Sequence, residues 1–96
     1  MVRGNVIFSE KAATDVASIG DWYNQQKNEL ANEFLESLDE ALDKIKKYPS
    51  SFNFINAKVR KCKLKRFPYY VYFFHQNGID VLRVRHVKQN PLKRFT

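Results

Sequence analysis

Near residue 50 the spacing of apolar side chains switches from helical to alternating, which confines the chain to folds that pack helices against a sheet. Upstream, Leu30, Phe34, Leu38, Ala41, Leu42 and Ile45 recur at three- and four-residue steps, and Glu33, Glu36, Asp39, Glu40 and Asp43 take the opposite face. This amphipathic helix is expected to stop near Tyr48, because Pro49 has no amide hydrogen and disfavours helical geometry in the residue before it. Lys44, Lys46 and Lys47 in its last turn suit the negative end of the helix dipole. An earlier helix is predicted over residues 10–26. Ser9 is placed to cap it, Glu10 opens it, and Ala12, Ala13, Val16, Ile19, Gly20 and Tyr23 form its inward stripe. Before it, Asn5 to Phe8 read as a short strand.

Downstream, Lys58 to Phe67 alternate, with Cys62 and Leu64 pointing one way and Lys61, Lys63 and Lys65 the other. Tyr69 to His75 is aromatic and β-branched, as a central strand is. Asn77-Gly78 predicts a tight primed turn into a last strand, Ile79 to His86. There Leu82, Val84 and His86 share one face, and Arg83 and Arg85 the other. The alternations interlock in an α+β fold with two antiparallel helices on one face of a small, mainly antiparallel sheet that begins with the N-terminal strand. Ninety-six residues suit one domain, 1–96, with one core.

Charge divides at the same point. Residues 1–48 carry six Lys/Arg against nine Asp/Glu; residues 49–96 carry eleven against Asp80 alone. Lys61, Lys63, Lys65, Arg83 and Arg85 should therefore converge as a basic floor on the sheet's uncovered side, with Lys88 just beyond. Like charges gathered there repel one another, so the floor calls for an anionic partner. No apolar run reaches the ~20 residues of a membrane span, and no signal-peptide stretch precedes Ser9, which makes the cytoplasm the expected compartment. A lone Cys62 offers neither a disulfide nor a paired metal ligand and is expected to be a small buried hydrophobe; no metal or cofactor is expected. His86 reads either as a hydrogen-bonded structural residue or as a site residue. His75 reads as an exposed strand end. Tyr69, Tyr70, Tyr72, Phe73 and Phe74 suit a core, although aromatics among cations also stack on bases.

The pieces FLESLDEALDKIKKYP, KLKRFPYYVYFF and IDVLRVRHVKQNP, in the order strand, two helices, three-stranded meander, resemble the RelE/ParE superfamily of bacterial type II toxins over nearly the whole chain. The resemblance implies a small cytoplasmic toxin that arrests growth and is silenced by a cognate acidic antitoxin in a hetero-oligomer. Its RelE-like branch cleaves messenger RNA at the ribosome, and its ParE-like branch blocks DNA gyrase. Lys61 and Lys63 match a lysine pair of the RelE-like branch, whereas two of that branch's arginines fall at Tyr70 and Gln89 and its tail tyrosine at Phe95. Those losses and the ending Leu82-Arg83-Val84-Arg85-His86 point toward the ParE-like branch, whose action is not derivable from residue chemistry. RNA cleavage would need a base, an acid and cations at the phosphate, for which Arg85 and His86 are the candidates. Trp22, Leu35 and Ile55 are the apolar residues expected to meet the antitoxin. A plain nucleic-acid-binding module and an inactive relic of a toxin remain as alternatives.

Overall fold

The computed structural model describes residues 2–3 and 5–89. Its elements run β1 (Val2–Arg3), β2 (Val6–Phe8), α1 (Glu10–Gln26), α2 (Asn28–Lys47), a single 3-10 turn (Pro49–Ser51), β3 (Arg60–Lys63), β4 (Tyr69–Gln76) and β5 (Gly78–His86). The five strands form one sheet in the order β1-β2-β5-β4-β3. Only the β2–β5 pairing is parallel.

The start of α1 and the end of α2 follow from signals in the sequence, whereas the junction between the helices has no capping side chain. The Ser9 hydroxyl oxygen accepts the Ala12 N–H at 3.0 Å, satisfying one of the free amides at the start of α1. Lys27, in extended geometry, alone separates α1 from α2, and its N–H closes the first helix on the Tyr23 carbonyl. α2 ends at Tyr48, and Pro49 opens the 3-10 turn beyond it.

One face of the sheet carries the helices. Phe34, Leu38, Ala41, Leu42 and Ile45 of α2 pack with Val71 and Phe73 of β4, Val81 and Val84 of β5, Cys62 and Leu64. Ala12 is buried in this core, and Val16, Ile19 and Tyr23 flank it. Tyr23 stacks on Phe34, and the rings of Phe34, Phe67 and Tyr69 meet edge to face around it. Ser37 is the polar side chain admitted among the described residues of this core; its hydroxyl donates to the Lys65 carbonyl.

Several expectations are corrected. β3 is shorter than the alternation that announces it: it ends at Lys63, Leu64 keeps one N–H bond to the Tyr69 carbonyl, and Lys65 to Pro68 then leave the sheet as Arg66 turns the chain with φ of 70°. Leu64 stays buried, so the pattern of burial outlasts the strand, whereas Lys65 lies past its end. In β5 the inward residues are Ile79, Val81 and Val84 rather than Leu82 and Val84. The ladder shifts between the pairs Phe73–Val81 and Tyr72–Arg83, leaving Leu82 as the extra residue of a β-bulge, half-buried and outside the core. The hairpin sits at Asn77-Gly78, but Gly78 alone has positive φ, 120°, so the turn is not the primed type. Asn90, Pro91 and the tail from Leu92 to Thr96, including Lys93, Arg94 and Phe95, fall outside the described residues.

Candidate functional site

On the sheet face away from the helices, the register aligns two rows. Lys61 of β3 pairs with Tyr72 of β4, which pairs with Arg83 of β5; Lys63 pairs with Tyr70, which pairs with Arg85. Directly paired residues share a face, so each tyrosine stands between two cationic positions. The Lys61 ammonium lies over the Tyr70 ring, 4.5 Å from its centroid, and the Tyr70 and Tyr72 rings are 6.1 Å apart. Tyr72 is buried, and that burial pushes its hydroxyl pKa up, with Tyr70 adding to the shift and the positive charge of Arg85 opposing it. Arg85 is half-buried, and its Nε, shielded from solvent, meets no hydrogen-bond partner among the described residues.

Arg83 holds its register position, but its guanidinium does not stand free beside Arg85. It donates from Nε to Asp15 Oδ2 at 2.8 Å and from a terminal nitrogen to Asp15 Oδ1 at 2.9 Å, a bidentate pair across to α1. The hydrogen bond raises the Arg83 pKa further, partly opposed by burial and aided by the Asp15 charge. Asp15 Oδ2 also accepts the Val84 N–H at 3.0 Å, and the Ser9 hydroxyl donates to the Leu82 carbonyl at 2.8 Å. β2 pairs with β5 only over Ile79 to Val81, so beyond that point these α1-side groups occupy the edge of β5. The expectation that Arg83 joins the floor is therefore corrected. Charge alternation cannot reveal this pair, although an acidic residue beside the inward stripe of Ala12, Val16 and Ile19 was the available signal.

Lys65, past the end of β3, is exposed, with its carbonyl tied to Ser37. Lys88 is exposed in the turn after β5, and its N–H donates to His86 Nδ1 at 3.0 Å. An imidazole that accepts at Nδ1 carries its proton on Nε2. The His86 ring meets Tyr69 edge to face, and His86 joins Asp15, Ser18, Ile19 and Tyr69 in lining a cleft of about 410 Å³ on the helix side. His86 and Arg85, adjacent in the chain, thus serve different faces, and no joint acid–base arrangement forms between them. His75 is exposed at the strand end. Cys62 is buried, and burial raises its thiol pKa, against a smaller opposing effect of Lys44.

Of the apolar residues expected at a partner surface, Trp22 is 54% and Leu35 37% exposed. Ile55 is instead half-buried, its N–H bonded to the Val59 carbonyl in the small hairpin before β3. Phe54, 53% exposed, is the apolar side chain this loop presents, with the Arg60 guanidinium 3.8 Å over its ring. Among the described residues, no cluster of three His, Cys, Asp or Glu side chains is arranged to hold a metal ion, and no helix is long and apolar enough to cross a membrane.

Comparison with known proteins places this architecture. A structure titled "Chromosomal ParDE TA system from P. aeruginosa" superposes with a TM-score of 0.73 over 84% of this chain and 92% of that one, at 22% sequence identity. That likeness establishes a shared fold of helices on a mixed sheet. No curated protein sequence matches significantly. The family model described as the ParE toxin of type II toxin-antitoxin system, parDE, matches residues 6–91, from the start of β2 to beyond β5. The chain therefore belongs to the ParE toxin family of type II toxin–antitoxin systems.

Proposed function

We propose that this protein is a growth-arresting toxin of the gyrase-inhibiting kind, acting in the cytoplasm and held silent by a cognate acidic antitoxin. The observation that carries the reading is the ParE family match over residues 6–91. The sheet face opposite the helices is the proposed target-binding surface, with Lys61, Lys63 and Arg85 as its centre and Lys65 and Lys88 at its margins. Arg83 supports that surface from its tether on Asp15. An acidic antitoxin is drawn to the same charges, so occupation of this face is the proposed means of silencing. Exposed Trp22 and Leu35 are proposed as apolar contacts for the antitoxin on the helical side.

Inducing the chain alone in bacteria tests the reading. Growth arrest with a DNA-damage response and filamentation is expected. Arrest with truncated messages would assign the chain to RNA cleavage instead, and continued growth would leave a nucleic-acid-binding module or an inactive relic. The paired change Lys61→Glu and Lys63→Glu is expected to abolish arrest while the protein still folds and unfolds cooperatively. Persistent toxicity of that variant would remove the basic face from the mechanism.

A further inference from the structure

We infer that Arg85, Lys63 and Lys61 form a phosphate seat around Tyr70, and that this seat binds the backbone of a nucleic acid more tightly than the carboxylates of an acidic protein, with which that backbone competes for the face. The inference rests on the proposed role of this sheet face and specifies what touches it. Its first support is the contrast between the two arginines of β5. Arg83 is neutralised internally by the Asp15 carboxylate. Among the described residues, Arg85 has no such counter-ion, and its buried Nε is the side-chain nitrogen left without a partner. A guanidinium partly withdrawn from water and uncompensated within the fold is primed for an external anion.

The second support is spacing. Lys61 and Lys63 lie two residues apart on one strand, roughly 7 Å by the strand rise. Lys63, Tyr70 and Arg85 are consecutive partners across three strands. The result is an angled array, with two lysines roughly 7 Å apart along β3, Arg85 two strand spacings or about 10 Å across from Lys63, and half-buried Tyr70 between them. A phosphodiester backbone is a regular row of acceptors, and the sugars and bases between its phosphates suit an aromatic centre. A folded acidic protein would have to bring carboxylates to the same positions one by one. The acidic residue on this side, Asp80, pairs with Phe74 two register steps beyond Tyr72 and marks where the seat ends.

Fluorescence anisotropy with a labelled thymidine oligonucleotide, read across a salt series, tests the seat. Three phosphate contacts predict a slope of log K against log salt of about −2, at roughly −0.7 per phosphate for a single strand. Arg85→Gln is expected to weaken binding about tenfold or more, and Lys61→Gln and Lys63→Gln each to remove about 0.7 of the slope. Arg85→Lys should keep the slope yet bind more weakly, because an ammonium lacks the guanidinium fork. Lys44→Gln on α2 is the control and should change nothing. Circular dichroism establishes that each variant is folded. Absence of binding, equal losses from the Lys44 control, or poly-glutamate binding as tightly as the oligonucleotide would each overturn the inference. Growth arrest separates this from the wider reading: a folded Arg85→Gln variant that still arrests growth overturns the seat and leaves the toxin standing. Wild-type protein that binds the oligonucleotide without arresting growth does the reverse.

Discussion

Asp15 belongs to α1 yet makes three hydrogen bonds to β5, two from the Arg83 guanidinium and one from the Val84 N–H. Its side chain is 15% exposed and that of Arg83 22%, so removing the carboxylate strands a partly buried cation together with a strand-edge amide. Asp15→Ala is expected to lower the unfolding free energy by about 2–4 kcal/mol, read by urea denaturation. A loss under 1 kcal/mol would mean that water replaces the carboxylate without penalty. Tyr23 supplies the pH counterpart. Burial first, and neighbouring Tyr69 second, push its hydroxyl from the usual 10.0 to about 12. A pKa raised on folding means that the folded state holds the proton more tightly, so this contribution is whole below pH 10 and is lost as pH rises toward 12. Tyr23→Phe should therefore show a shallower decline in stability across that window than the wild type.

Among elements, α1 depends on Ser9 at two points, the Ala12 N–H it caps and the Leu82 carbonyl it donates to. Ser9→Ala is expected to cost about 1–2 kcal/mol in chemical denaturation. Gly78→Ala should destabilise the β4–β5 hairpin by about 1–3 kcal/mol, since φ of 120° excludes most side chains and the new Cβ would lie 3.4 Å from the Asn5 carbonyl oxygen. The helices were legible because their signals are local: a serine cap, an acidic start, a stripe and a terminating proline all act within a few residues. The strand ends were not. Leu64 continues the alternation of β3 one residue past the strand, its N–H still bonded to the Tyr69 carbonyl, and Val81, Leu82 and Val84 are all apolar, so nothing in their types shows which of them the bulge expels. The same division holds at the candidate site. Alternation placed Lys61 and Lys63 together, whereas the Asp15–Arg83 pair joins residues 68 apart in sequence and leaves no periodic trace.

For the molecule as a whole, the surplus of acid sits in the half of the chain that forms the helices and the surplus of base in the half that forms β3 to β5. A net charge of +7 predicts retention on a heparin column with strong salt dependence. Reversing Lys61 and Lys63 is expected to shorten that retention more than reversing Lys44 and Lys47 on α2, although the change in net charge is identical. Equal retention of the two variants would show that total charge, not its arrangement, governs binding.

The strand that unites the sheet is the latest of those described. β5 lies between β2 and β4, and its parallel partner β2 precedes it by some seventy residues. A ribosome therefore releases both helices, β3 and β4 before the segment that can join them to β2, so the two parts of the sheet meet only after β5 has emerged. A chain ending at Asn77 is expected to show no cooperative thermal transition, because β2 and β4 would each be left without the strand that joins them.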